Sequence, residues 1–134
     1  MNIKCAESYE SILPLMTAET VRYDEYEYLD RETLLTGVRL GGYYRIGLSP
    51  RDDGGFDIIY LSGADENCDV WRKGMLKGRL IPTIFQNHYN LVWRYADGIV
   101  EATDLWGELN GPILDLHFPR DKSRLRFSLI PPSR

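Results

Sequence analysis

The residue best placed to do chemistry is Asp104. Asp97-Gly98 is the strongest short signal for a two-residue hairpin turn. Counting outward from it pairs Tyr95 with Val100, Trp93 with Ala102 and Leu91 with Asp104. That register gathers Tyr89, Leu91, Trp93, Tyr95, Val100, Ala102 and Trp106 on one face, with Asp104 among them, and sets Arg94 opposite Glu101 on the other. A carboxylate on an aromatic, aliphatic face loses its water and needs a donor, a cation or a ligand. The chemistry expected is orientation of a ligand's polar group by Asp104, in a pocket lined by Leu91, Trp93, Tyr95 and Trp106. The plainer alternative is a strand-end aspartate capped by backbone N–H groups of the turn at Gly107.

Other reactive types are sparse. Lys73, Lys77 and Arg79 share a strand face with Trp71 and Met75, a pattern that can track single-stranded nucleic acid but equally makes a solvated, edge-protecting face. A net charge of -4 opposes nucleic acid. His88 and His117 lie far apart, with no metal-ligand spacing, and His117 falls on a polar strand face beside Arg126. Cys5 and Cys68 are too few for a disulfide framework or a zinc site. They read as reduced thiols, which makes a cytoplasmic location the expectation. Met1–Cys5 lacks the apolar stretch of a secretion signal. No phosphate loop, nucleophile elbow or nucleotide fingerprint is present, so no cofactor and no metal are expected. Catalysis would need an unfamiliar arrangement of inward carboxylates.

The elements that must position these residues form one domain over residues 1–134. Nine Tyr, four Phe and three Trp supply a core and argue against disorder, and no apolar run approaches the ~18–20 residues of a membrane helix. Residues 1–40 form an N-terminal segment. In it, Asp30–Thr36 reads as a short helix, with Asp30 as N-cap and Gly37 at its end, and Val21–Leu29 reads as a strand. Residues 41–134 form a β-meander, with strands expected near 43–49, 56–62, 67–72, 75–81, 89–95, 99–106, 113–118 and 124–130. The last hairpin registers by pattern: pairing Pro119 with Arg124 puts Leu114, Leu116, Phe118, Leu125, Phe127 and Leu129 on one face. Asp115, His117, Arg124, Arg126 and Ser128 fall on the other. The hairpin of 43–49 with 56–62 has no clean parity. The fold class is therefore all-β, an antiparallel up-and-down barrel of about eight strands with a short N-terminal helix; a two-sheet β-sandwich is the alternative.

Three features carry a family resemblance: the short helix Asp30–Thr36, then Gly41-Gly42-Tyr43 opening the first clear strand, then the meander. The layout resembles the calycin superfamily of lipocalin-like and fatty-acid-binding-like barrels. Gly41-x-Tyr43 would stand for that family's Gly-x-Trp, with Tyr for Trp. Arg124 or Arg126 would stand for the arginine that packs over it. The resemblance covers about residues 30–130 in architecture, and implies an interior that holds a small apolar ligand.

The function expected on these grounds is non-catalytic binding of a small, largely apolar ligand inside the barrel. The alternative is a protein–protein interaction module, an inhibitor, immunity or adaptor protein with a filled core. The Tyr-interleaved acids Asp24, Glu25, Glu27 and Asp30 could then face a basic partner. A hollow interior would favour the first reading; a filled one with an exposed aromatic patch would favour the second.

Overall fold

The computed structural model describes residues 22–29, 44–63, 71–95 and 98–131. Nine strands run in chain order: β1 (Asp24–Tyr28), β2 (Arg45–Pro50), β3 (Phe56–Ser62), β4 (Leu76–Pro82), β5 (His88–Arg94), β6 (Val100–Glu101), β7 (Trp106–Asn110), β8 (Ile113–Phe118) and β9 (Ser123–Leu129). Each pairs antiparallel with its neighbour, β4 pairs β5, and β9 returns to pair β1. Strands β6 and β7 both pair the same edge of β5, so they are two pieces of one interrupted strand. The result is a closed, eight-stranded, up-and-down barrel rather than a two-sheet sandwich. Closure pairs every strand except the short β6 on both sides and so removes most of the exposed edges that invite aggregation. No helix among the described residues is long and apolar enough to cross a membrane.

The expected helix Asp30–Thr36, the Gly41–Tyr43 motif and both cysteines lie outside the described residues. Trp71 and Arg72, the part of the 67–72 run that is described, are not in a strand. The strand that completes the barrel is instead β1, where Tyr26 and Tyr28 pack on the core and Glu25 reaches outward to Arg45, Nη1 to Oε1 at 2.7 Å. Period-2 alternation is present here but runs over only five residues.

Among the described residues, part of the interior is tightly packed. Ile46 of β2, Ile58 of β3, Leu80 of β4, Leu91 of β5, Leu114 and Leu116 of β8 and Phe127 of β9 each have 0% of their surface accessible. A side chain with no accessible surface touches no space that a water molecule could occupy, which is the density expected of a packed core. Gly107 of β7 makes room by having no side chain, since a Cβ there would come within 2.9 Å of the Leu80 side chain.

The last hairpin keeps its expected faces with a shifted pairing. Phe118 pairs with Ser123, Leu116 with Leu125 and Leu114 with Phe127, so the pairing differs by two residues from the one built on Pro119 and Arg124. A two-residue shift preserves every side chain's face. The four-residue loop Pro119–Lys122 is a 3-10 turn closed by Lys122 in the left-handed region at φ +52°.

Strand β4 departs from expectation. Ile58 pairs with Gly78 and Ile59 with Leu76, leaving Lys77 as the extra residue of a bulge. A bulge turns two successive side chains to the same side. Lys77 accordingly points inward and is 2% exposed, its Nζ 4.3 Å from the Trp71 ring centre and 5.0 Å from that of Trp93. The basic stripe read from Lys73, Lys77 and Arg79 therefore does not exist as one solvated face. Trp71, Met75 and Lys77 are core residues, and Arg79 binds Asp57 from the outside, Nε to Oδ1 at 2.8 Å.

Candidate functional site

The irregular pairing of β5 with β6 and β7 builds the most distinctive surface of the molecule. The turn that starts it is longer than expected. The Tyr95 N–H donates to the Ile99 carbonyl at 2.8 Å, and the Gly98 N–H donates to the Tyr95 carbonyl at 2.9 Å. Three residues therefore separate the paired ends, and Gly98 occupies the left-handed region at φ +88°. Asp-Gly serves this glycine-bulge turn as readily as the two-residue one. The extra residue slips the returning strand by one, and a one-residue slip exchanges its faces.

Trp93 consequently pairs with Glu101, and Arg94 with Val100. The expected Arg94–Glu101 pair is not formed: Arg94 is fully buried, its Cζ 5.8 Å from the Trp71 ring centre. The carboxylate that meets the aromatic residues is Glu101. Tyr95 donates its hydroxyl hydrogen to Glu101 Oε2, and Arg120 Nη1 stands 3.5 Å from Oε1. Burial first, and then the bond to Glu101, push the Tyr95 hydroxyl well above its ordinary range.

A second irregularity follows. Between the two registers, the four residues Ala102–Leu105 stand opposite only Leu91 and Val92. The surplus loops outward. Ala102, Thr103 and Asp104 are exposed, and Asp104 sits at φ +65°. Leu105 then turns back into the core, where its carbonyl accepts the Leu91 N–H at 3.1 Å. The expectation of an inward, buried Asp104 is overturned, and so is an inward Trp106. Of the five expected ligand-binding residues, Leu91 and Trp93 are packed in the core and Tyr95 is packed against it. Asp104 and Trp106 share the outer surface.

Outside the barrel, Trp106 anchors a chain of rings across four neighbouring segments. Its indole stacks on His117 of β8, with centroids 3.7 Å apart and planes 4° from parallel. His88 of β5 stacks near it at 5.2 Å, and Phe85 meets His88 edge-on at 6.1 Å. His117 pairs opposite Arg124 rather than Arg126, and its Nε2 lies 3.3 Å from Glu108 Oε1. Arg126 instead grips Asp115 with two bonds, at 2.8 and 3.1 Å.

The loop that carries Phe85 is pinned. Thr83 Oγ1 accepts the Phe85 N–H at 3.1 Å and donates to the His88 carbonyl at 2.9 Å, while the Asn87 carbonyl accepts the Leu109 N–H at 3.0 Å. On this fixed loop Ile84 is 94% exposed and Phe85 66% exposed, and Ile81 at the end of β4 is partly exposed beside them in sequence. Beside the ring chain lies an open cleft of about 580 Å³, lined by His88, Asn90, Ala102, Thr103, Asp104, Leu105 and Trp106.

Sequence reasoning missed Ile84, Phe85, His88, Asn90 and Thr103. The signal for the first two was available: segment 82–88 separates two strands yet carries adjacent large apolar residues where a turn is ordinarily polar. No family model, curated protein or solved structure matches this chain.

Proposed function

We propose that this protein is a non-catalytic interaction module that docks a protein partner on its outer face around Phe85, Trp106 and the neighbouring cleft. The observation that carries this reading is the display of Ile84 and Phe85 on a hydrogen-bonded loop, continuous with the Phe85–His88–Trp106–His117 rings. Aromatic anchors held rigid before binding lose little conformational entropy on docking, and aromatic residues are the types enriched at interface centres. An apolar guest in the barrel interior would have to displace side chains that touch no open space, so the packed core supports the partner reading over the enclosed-ligand one. On this reading the chain is a calycin-like barrel whose centre is filled and whose recognition lies outside.

A random peptide library displayed on phage and panned on the wild-type protein provides the test. Peptides are expected to be enriched that bind the wild type and lose binding to the double variant I84S/F85S by about tenfold or more, the scale of a lost hot spot. Both positions are exposed, so the variant keeps its fold. Enriched peptides indifferent to I84S/F85S, or no enrichment at all, would refute the reading. Saturable binding of a long-chain fatty acid that shifts the resonances of Leu91, Leu114 and Phe127 would restore the interior-ligand reading.

A further inference from the structure

We infer that the cleft beside Trp106 receives the guanidinium of an arginine side chain supplied by the docking partner; this rests on the reading of the outer face as a docking surface. The cleft forms where β6 and β7 carry two residues more than β5 needs. At its rim Asp104 holds a left-handed backbone conformation, φ +65°, which Asp tolerates better than most residues.

The Asp104 carboxylate is unengaged. Among the described residues Asp104 makes no ion pair and no side-chain hydrogen bond, unlike Asp57, held by Arg51 and Arg79, and Asp115, held by Arg126. Among the described residues no Lys or Arg lines the cleft, and His88 is its only other titratable group. Asn90 and Thr103, whose amide and hydroxyl oxygens can accept hydrogen bonds, line the cleft with the acid, and Trp106, held between the His88 and His117 rings, presents its edge. One anion and two neutral acceptors match a multi-donor cation. Arginine fits this better than lysine, because its guanidinium binds a carboxylate through two parallel bonds. The chain's net charge of -4 favours approach of a basic segment.

The test uses N-acetyl-arginine-methylamide titrated into the isotopically labelled protein, with the citrulline analogue as the uncharged control. Backbone amides of Thr103–Trp106 and the Trp106 indole N–H are followed by NMR. The arginine compound should shift these resonances saturably, with a dissociation constant on the order of millimolar. D104N should weaken it about tenfold, as expected on loss of a charge-assisted bond, while the rest of the spectrum stays superimposable. The citrulline analogue should leave the cleft resonances unmoved. Absent shifts, equal shifts from citrulline, or indifference to D104N would overturn the inference. The two proposals fail separately. Peptides that need Phe85 but ignore D104N would refute the arginine site and leave the docking surface standing. Arginine shifts at the cleft, with no peptide dependent on Phe85, would refute the docking surface and the partner as the source of the guanidinium.

Discussion

The hairpin β8–β9 and the hairpin formed by β5 with β6–β7 are built from similar residues and have opposite characters. The first holds one register over six consecutive pairs, with apolar residues inward and Asp115, His117, Arg124 and Arg126 outward. The second changes register at a four-residue excursion, buries an arginine, exposes an aspartate in the left-handed region and turns a tryptophan to the outside. Regular pairing maximises burial and leaves nothing spare. The irregular strand gives up pairing over a few residues and gains a cleft with an unengaged carboxylate. Strain and unsatisfied groups concentrate where a surface is used rather than where it only packs.

The largest effect should come from breaking the regular hairpin. Phe127→Ala removes a side chain that touches no open space and packs against Tyr28 and Tyr44, with ring centres 5.7 and 5.5 Å away. It should cost about 3–5 kcal/mol in urea titration. A loss below about 1 kcal/mol would mean that this half of the barrel is not the packed core described.

The turn that starts the irregular hairpin comes next. Gly98→Val places a β-branched residue at φ +88° and should cost about 1–3 kcal/mol by the same titration. Full retention of stability would show that the turn tolerates another geometry, and with it another register.

Alkaline titration separates the two regions through Tyr95. Its hydroxyl is protonated more firmly in the folded state than in the unfolded chain, where the value is about 10. The raised folded value means that its stabilising contribution is complete below pH about 10 and is lost as pH climbs from there through the folded value. Urea midpoints measured up to about pH 11 should fall more steeply for the wild type than for Tyr95→Phe. Parallel curves would remove the Tyr95–Glu101 bond from the account.

Deleting Thr103 and Asp104 together should have the smallest effect on stability. The excursion is two residues longer than its partner, so the deletion lets β6 and β7 continue in one register, with Ala102 opposite Val92 and Leu105 opposite Leu91. Stability should stay within about 1 kcal/mol of the wild type, while the cleft closes. A protein that fails to fold would show that the excursion is structural rather than functional.

The same contrast explains what could be read beforehand. In β8–β9, two runs of alternating residues each point to the same faces, and the two-residue error in pairing left those faces intact. In β5–β6–β7, the reading rested on one dipeptide, and Asp97-Gly98 is compatible with turns that differ by a residue. That single residue moved Glu101 inward, and the excursion that follows it carries Asp104 on the outside. The expectation that a carboxylate would meet the aromatic residues of β5 was sound in kind, but Glu101 occupies the place. Lys77 was misplaced for a related reason: Gly78 in β4 signals a bend or close packing, but a bulge is set by both strands and the glycine alone does not say which neighbour it turns inward. The outer ring chain joins Phe85, His88, Trp106 and His117, and only the pairing of β5 with β7 and of β7 with β8 brings them together.

The most direct test of the outer face as the recognition surface is an NMR titration of the labelled wild-type protein with a peptide selected by panning. The account predicts saturable shifts at Phe85, His88, Asn90, Thr103, Asp104 and the Trp106 indole, with Leu91, Leu114 and Phe127 unmoved. Shifts confined to those three interior residues, with the outer face silent, would contradict it.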